Sequence, residues 1–209
     1  MERDPDALVY HTPTVLSLSR ALYGRSRADN AVYTSLSAAD ARAEISFVFS
    51  PQRRPTAVCT HCGVCIIKPH AVLARRVPDV VRSVLDAGFE VSAVRTALLD
   101  RRAAMDLLEA HRGVVPEYED WVAELASGPS VMLELRGPRA AADLRELAGP
   151  YDPVVARALA PASIRARLGA DVARNGVHVT DSPEDGPLEA RFLFHVLPAE
   201  ARALEPAAA

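Results

Sequence analysis

The stretch NGVHVTDSPEDGPLEARF (residues 175–192) sets an alternating apolar run, Val177-His178-Val179, a few residues ahead of a helix-start signal. Ser182 is predicted to be an N-cap, Pro183 the first helical residue and Asp185 the acidic partner of a capping box. Glu189 follows seven residues after Ser182, which is two turns up the same helix face. From there its carboxylate can reach the ring of His178 at the strand end and hold one nitrogen, leaving the other free to attack. A lone histidine is more often structural. The carboxylate and the nearby Asn175 make this one a candidate nucleophile.

The pattern occurs twice. Residues 20–49 (RALYGRSRADNAVYTSLSAADARAEISFVF) align without a gap against residues 165–194, with 11 of 30 positions identical at a constant offset of 145. A period that long means two copies of a domain rather than a solenoid. Arg20 pairs with Arg165, Asn30 with Asn175, Ser35 with Thr180 and Glu44 with Glu189, whereas Tyr33 stands opposite His178. If His178 is a nucleophile, the first copy cannot do the chemistry. Residues 1–50 are therefore expected to be the C-terminal remnant of a first unit, and residues 51–57, rich in proline and arginine, a linker. Residues 58–197 are expected to form a complete domain and 198–209 a fraying tail. A strand with two helices lacks the partner strands that would cover it, so residues 1–56 are expected to belong to a longer chain.

Bulk composition narrows the function. The 209 residues suffice for one well-buried domain plus an appendage. A net charge of -3 gives no reason to expect a nucleic-acid or anionic-membrane partner. No apolar run is long enough to span a bilayer, and the acidic N-terminal residues lack a signal-peptide core, so an intracellular protein is expected. All three cysteines fall in CTHCGVC (residues 59–65). The odd count argues against a disulfide framework. A metal is the sharper reading and buried thiols the plainer one. Residues three apart on the strand that follows point to opposite faces, which favours thiols.

Strands are predicted at VCIIK (64–68), EVSAVRTALL (90–99), PSVMLELRG (129–137) and NGVHVT (175–180). Helices are predicted at PDVVRSVLDAGF (78–89), DRRAAMDLLEAHRG (100–113), PEYEDWVAELASG (116–128), PRAAADLRELAG (138–149), PASIRARLG (161–169) and SPEDGPLEARFLF (182–194), with a proline-rich connection after the fourth. The order β-α-β-α-α-β-α-β-α describes an α+β sandwich with a ferredoxin-like split β-α-β core.

Lys68 is the only lysine among 24 Lys and Arg residues. Where arginine has replaced lysine nearly everywhere, a survivor marks a place for a compact ammonium rather than a wide planar fork, or else it is drift. The segments CIIKPHAV, SGPSVMLEL, LRELAGPYDP, ASIRARLG and NGVHVTDS resemble, in order and spacing, the nucleoside diphosphate kinase family over residues 62–195. KPHAV, GVVPEY and HVTDSPEDGPLE are most similar to the second unit of its tandem branch, found in ciliary and flagellar axonemes.

The resemblance implies transfer of a γ-phosphoryl group from a nucleoside triphosphate to His178 and on to a diphosphate, with Mg2+ on the phosphates. It implies Glu189 as the orienter of His178. Lys68, Arg145 and Arg165 become the phosphate cradle, with Asn175 and Thr180 as further nucleotide contacts. It also implies departures: the family's base-stacking Phe falls at Glu117, its phosphate-side Tyr at Glu109 and its phosphate-contacting Thr at Tyr151, with Tyr118 a candidate replacement for the ring. Losing a base-aromatic stack removes about 1–3 kcal/mol. Two expectations follow. One is a mainly structural component of ciliary or flagellar axonemal microtubules, cytoskeletal in location, with tubulin and axonemal proteins as partners. The other is an active nucleoside diphosphate kinase.

Overall fold

The computed structural model describes residues 21–26, 29, 31–50 and 55–198. The expectations for Arg20, Asn30, residues 51–54 of the linker and residues 199–209 of the tail lie outside the described residues. The chain divides into two compact units between Arg53 and Arg54.

In the first unit, helix α1 (Ala38–Val48) is capped by Ser37, whose hydroxyl accepts from the Asp40 N–H and donates to its carboxylate. Tyr33 and Ser35 donate their hydroxyls to the two oxygens of Glu44, at 2.6 and 2.5 Å. No side chain of α1 is buried.

The second unit is built on a four-stranded antiparallel sheet in the order β2-β3-β1-β4. The strands are β1 (Cys62–Ile67), β2 (Glu90–Leu98), β3 (Pro129–Arg136) and β4 (Val177–Val179). β1 is central and buried along its whole length, so both its faces carry core. Cys62, Val64 and Ile66 enter one apolar cluster with Met132, Leu125 and Leu193. Cys65 and Ile67 enter the other with Leu133, Val84 and Ile164. The thiols of Cys62 and Cys65 are thus on opposite faces, and burial pushes each up to about 12. Each fully buried Leu, Ile or Val contributes about 1.5–3 kcal/mol, which makes this double-sided strand the fold's main anchor.

Around the sheet run α2 (Pro69–Leu73), α3 (Val77–Asp86), α4 (Arg101–Leu107), α5 (Tyr118–Leu125), α6 (Ala140–Ala148), α7 (Pro153–Leu159), α8 (Ile164–Leu168) and α9 (Asp185–Arg191). Among the described residues no helix is long and apolar enough to cross a membrane. The four predicted strands are present, and the α+β ferredoxin-like arrangement is that of the sequence reading.

Local differences have identifiable causes. The proline-rich connection contains α7, because Asp152 accepts from the Val154 N–H at 2.7 Å and Pro153 supplies a preset first helical residue. The helix predicted over 100–113 ends at Leu107 and tightens into a 3₁₀ turn over Glu109–His111. α9 begins at Asp185 rather than Pro183, although Ser182 does accept from the Asp185 N–H at 3.2 Å. Gly186 lets α9 lie directly on β1, since a Cβ there would run into the Cys62 carbonyl oxygen.

Candidate active site

β4 presents His178 beside α9, and the 3-residue strand with the turn after it fixes the spacing between His178, Thr180 and Glu189. His178 Nε2–H donates to Glu189 Oε1 at 2.9 Å, which leaves Nδ1 as the nitrogen not engaged by the carboxylate. Thr180 donates its hydroxyl to Glu189 Oε2 at 2.5 Å and accepts the Val64 N–H at 2.7 Å. Glu189 is held at both oxygens. The first unit repeats this arrangement at the same 145-residue offset, with Tyr33, Ser35 and Glu44 in place of His178, Thr180 and Glu189.

A cleft of about 590 Å³ opens in front of His178, and Arg145 and Arg165 line it. Arg145 Nη1 donates to the Asp181 carbonyl at 2.8 Å, and Arg165 Nη1 to the Gly149 carbonyl at 2.7 Å. Burial lowers the Arg165 guanidinium to about 10, still charged at neutral pH. Lys68 caps the start of α2, is buried, and donates Nζ–H to the Ala173 carbonyl at 2.8 Å. Burial, aided by Arg165, lowers its ammonium to about 7. Asn175 is buried, with its amide donating to the Tyr151 carbonyl at 2.9 Å and its Oδ1 without a hydrogen-bond partner.

The structure therefore gathers His178, Arg145 and Arg165 on the cleft wall. Lys68 and Asn175 are buried and hold backbone carbonyls of neighbouring turns. Thr180, expected as a nucleotide contact, donates its one O–H to Glu189 and accepts the Val64 N–H, which fixes the Glu189 carboxylate. Tyr118 does not replace a stacking ring, because it is buried in the core cluster with Leu125 and Val122. Glu109 turns outward and pairs with Arg112 at 3.2 Å. Glu117 lines a separate slot with Asp120, Val172 and Arg174.

Three residues were missed in the sequence. Trp121 stands in the cleft with its ring 6.1 Å from Tyr151, 5.4 Å from His111 and 5.5 Å from Lys68 Nζ. His111 also lines the cleft and donates Nε2–H to Asp181 Oδ2 at 2.9 Å. His70 clamps the turn before β4: Nδ1–H donates to Glu124 Oε1 at 2.7 Å and Nε2 accepts the Gly176 N–H at 3.2 Å. The signal for Trp121 was its being the chain's single tryptophan, four residues after Glu117.

The site sets a histidine held by a carboxylate at the wall of a cationic cleft, on a ferredoxin-like sheet. Residues 62–197 match the family model described as nucleoside diphosphate kinase, and the chain belongs to that family. It is 38% identical over 182 residues to nucleoside diphosphate kinase homolog 7 of Rattus norvegicus, covering 85% of this chain and 46% of that protein. The Mus musculus homolog 7 matches with the same identity and coverage, so the chain spans about half the length of these curated relatives. The nucleoside diphosphate kinase of Aquifex aeolicus is 33% identical over 129 residues, covering 62% of this chain and 90% of that protein. A crystal structure of the Aquifex aeolicus enzyme superimposes with a TM-score of 0.62 at 32% identity, over 66% of this chain and 97% of that one.

Proposed function

We propose that the second unit transfers the γ-phosphoryl group of a nucleoside triphosphate to His178 Nδ1 and from there to a nucleoside diphosphate. The observation that carries this reading is the two-point hold on Glu189, which takes Nε2–H of His178 and leaves the opposite nitrogen for attack. The Nδ1 lone pair forms a bond to phosphorus as the bond to the bridging oxygen breaks, and the diphosphate leaves with that electron pair. A second diphosphate then reverses the step. Arg145 and Arg165 supply fixed positive charge where the phosphoryl oxygens would lie.

The cofactor would be Mg2+ brought in on the nucleotide. Among the described residues no group of three or more His, Cys, Asp or Glu side chains is disposed to hold a metal. A cleft walled by arginines instead suits a metal carried by the polyphosphate itself. Bound there, Mg2+ would neutralise phosphate charge.

Incubation with Mg2+ and γ-labelled ATP is expected to give an acid-labile, alkali-stable phosphoprotein that His178→Asn abolishes. Undiminished label in His178→Asn would overturn the proposal.

A second reading draws on Tyr33. The first copy keeps the hydrogen-bonded frame around Glu44 with the nucleophile position filled by a tyrosine, so that part of the fold is maintained without the chemistry. This supports a structural role, with tubulin and axonemal microtubule proteins as partners and the cytoplasmic cytoskeleton of a cilium or flagellum as location. Native protein released with the soluble cytosol rather than retained on salt-washed axonemal microtubules would rule it out.

A further inference from the structure

His111 repeats, at a second place in the same cleft, the arrangement that orients His178. Its Nε2–H is donated to the Asp181 carboxylate at 2.9 Å, and its Nδ1 is buried without a hydrogen-bond partner. The ring stands edge-on to His178, with centroids 6.5 Å apart at 78°, and lies 5.4 Å from the Trp121 ring. The 3₁₀ turn over Glu109–His111 produces this placement: it ends the helical run and turns Glu109 outward to Arg112 while His111 faces inward. A cavity of about 280 Å³ behind the Asp181 contact is lined by Asp106, Asp185 and Glu189.

We infer that His111, clamped by Asp181, is a further catalytic residue of the cleft: an imidazolium whose charge faces the phosphoryl group while it resides on His178. This rests on the phosphoryl-transfer reading above. The charged and titratable groups around His111 are Asp181, with Asp106, Asp185 and Glu189 around the cavity behind it, His178 on β4, and Arg145, Glu146 and Arg165 on the cleft wall, where Arg145 holds the Asp181 carbonyl. The carboxylates outnumber the cations, and the hydrogen bond to Asp181 is the largest of several causes that raise His111 above its ordinary value of 6.5, against an opposing effect of burial. Asp181 is correspondingly lowered, first by that same bond. A phosphoryl dianion brought to His178 adds negative charge near the ring and favours its protonated form further.

Because the folded value is raised, the charge persists to higher pH than that of an ordinary histidine at 6.5, and it is lost as pH climbs through the raised value. The transfer rate is therefore expected to fall over that range. His111→Gln keeps a side chain of similar reach without the titration. It is expected to lower single-turnover phosphorylation of His178 by about tenfold near pH 6.5 and to flatten its pH profile. In the wild-type chain, the NMR titration of His111 is expected to move to higher pH when the non-hydrolysable triphosphate Mg·AMP-PNP is added, and to stay in place with adenosine. Identical pH–rate profiles for wild type and His111→Gln, or a titration indifferent to Mg·AMP-PNP, would overturn the inference. If His178 accepts no label while the His111 titration still responds to Mg·AMP-PNP, the transfer reading fails and the phosphate contact of His111 stands.

Discussion

Lys68 is a cation that the fold holds partly discharged. Its stem is buried at the end of β1, its ammonium donates to the Ala173 carbonyl, and burial brings it from 10.5 to about 7. Between those values the unfolded chain binds a proton that the folded one does not, so its contribution to stability rises with pH from about 7 toward 10.5. A polyphosphate nearby reverses the preference. Nucleotide binding at pH 8 is therefore expected to take up a proton, seen calorimetrically as a binding enthalpy that changes with the ionisation enthalpy of the buffer. Buffer-independent enthalpy would contradict it. Lys68→Arg forces a wide, permanently charged fork into a closed site and is expected to reduce His178 labelling at least about tenfold. Lys68→Met, which fits the space, separates the two effects: it should fold normally and still label poorly. Labelling of both variants at the wild-type rate would mean that the lone lysine is drift.

The contact between α9 and β1 sets the geometry of the His178–Glu189 pair, because Glu189 rides on that helix. Gly186 sits over the Cys62 carbonyl, and backbone atoms cannot yield as a flexible side chain would. Gly186→Ala is expected to destabilise the unit by about 1–3 kcal/mol through overpacking. It should also lower phosphorylation of His178 by more than the loss of folded protein explains, since lifting α9 moves Glu189 away from Nε2. Thermal denaturation beside single-turnover labelling checks this. A variant with a lowered melting temperature but unaltered labelling per folded molecule would show that Glu189 keeps its place by other contacts. Cys62→Ser offers a milder control, as it alters the side chain without touching the carbonyl that Gly186 faces.

The two units differ in how their elements are covered. α1 has no buried side chain, and Ile45, Val48 and Phe49 are each more than half exposed, whereas β1 is buried throughout. A helix with so little cover gains almost nothing from packing. Hydrogen exchange on the 209-residue chain is expected to be fast over residues 38–48 and slow over residues 62–67 and 130–135. Strong protection over 38–48 in the chain alone would overturn that expectation.

The sequence carried the local and periodic part of this protein. The four strands, most helices and the His178–Glu189 pair were legible because strand alternation, capping residues and the spacing from His178 to Glu189 are properties of adjacent residues, and the Tyr33–Glu44 copy repeated them. α7 was also legible in principle, since Asp152 and Pro153 form a start signal that the surrounding prolines obscured. The tertiary fold settled which polar groups remain free. Antiparallel pairing of β1 with β4 brings the Val64 N–H to the Thr180 hydroxyl across a separation of 116 residues, a contact that no local pattern shows. His111 reads as the end of a helix until a 3₁₀ turn sets it beside His178. Trp121, Tyr151 and Lys68 lie far apart in the chain and meet only where α5, the turn before α7 and the end of β1 converge. Hydrogen-bond capacity is spent on whichever partner the packing delivers, and partners separated by 50 or more residues are fixed by the sheet order rather than by any local pattern.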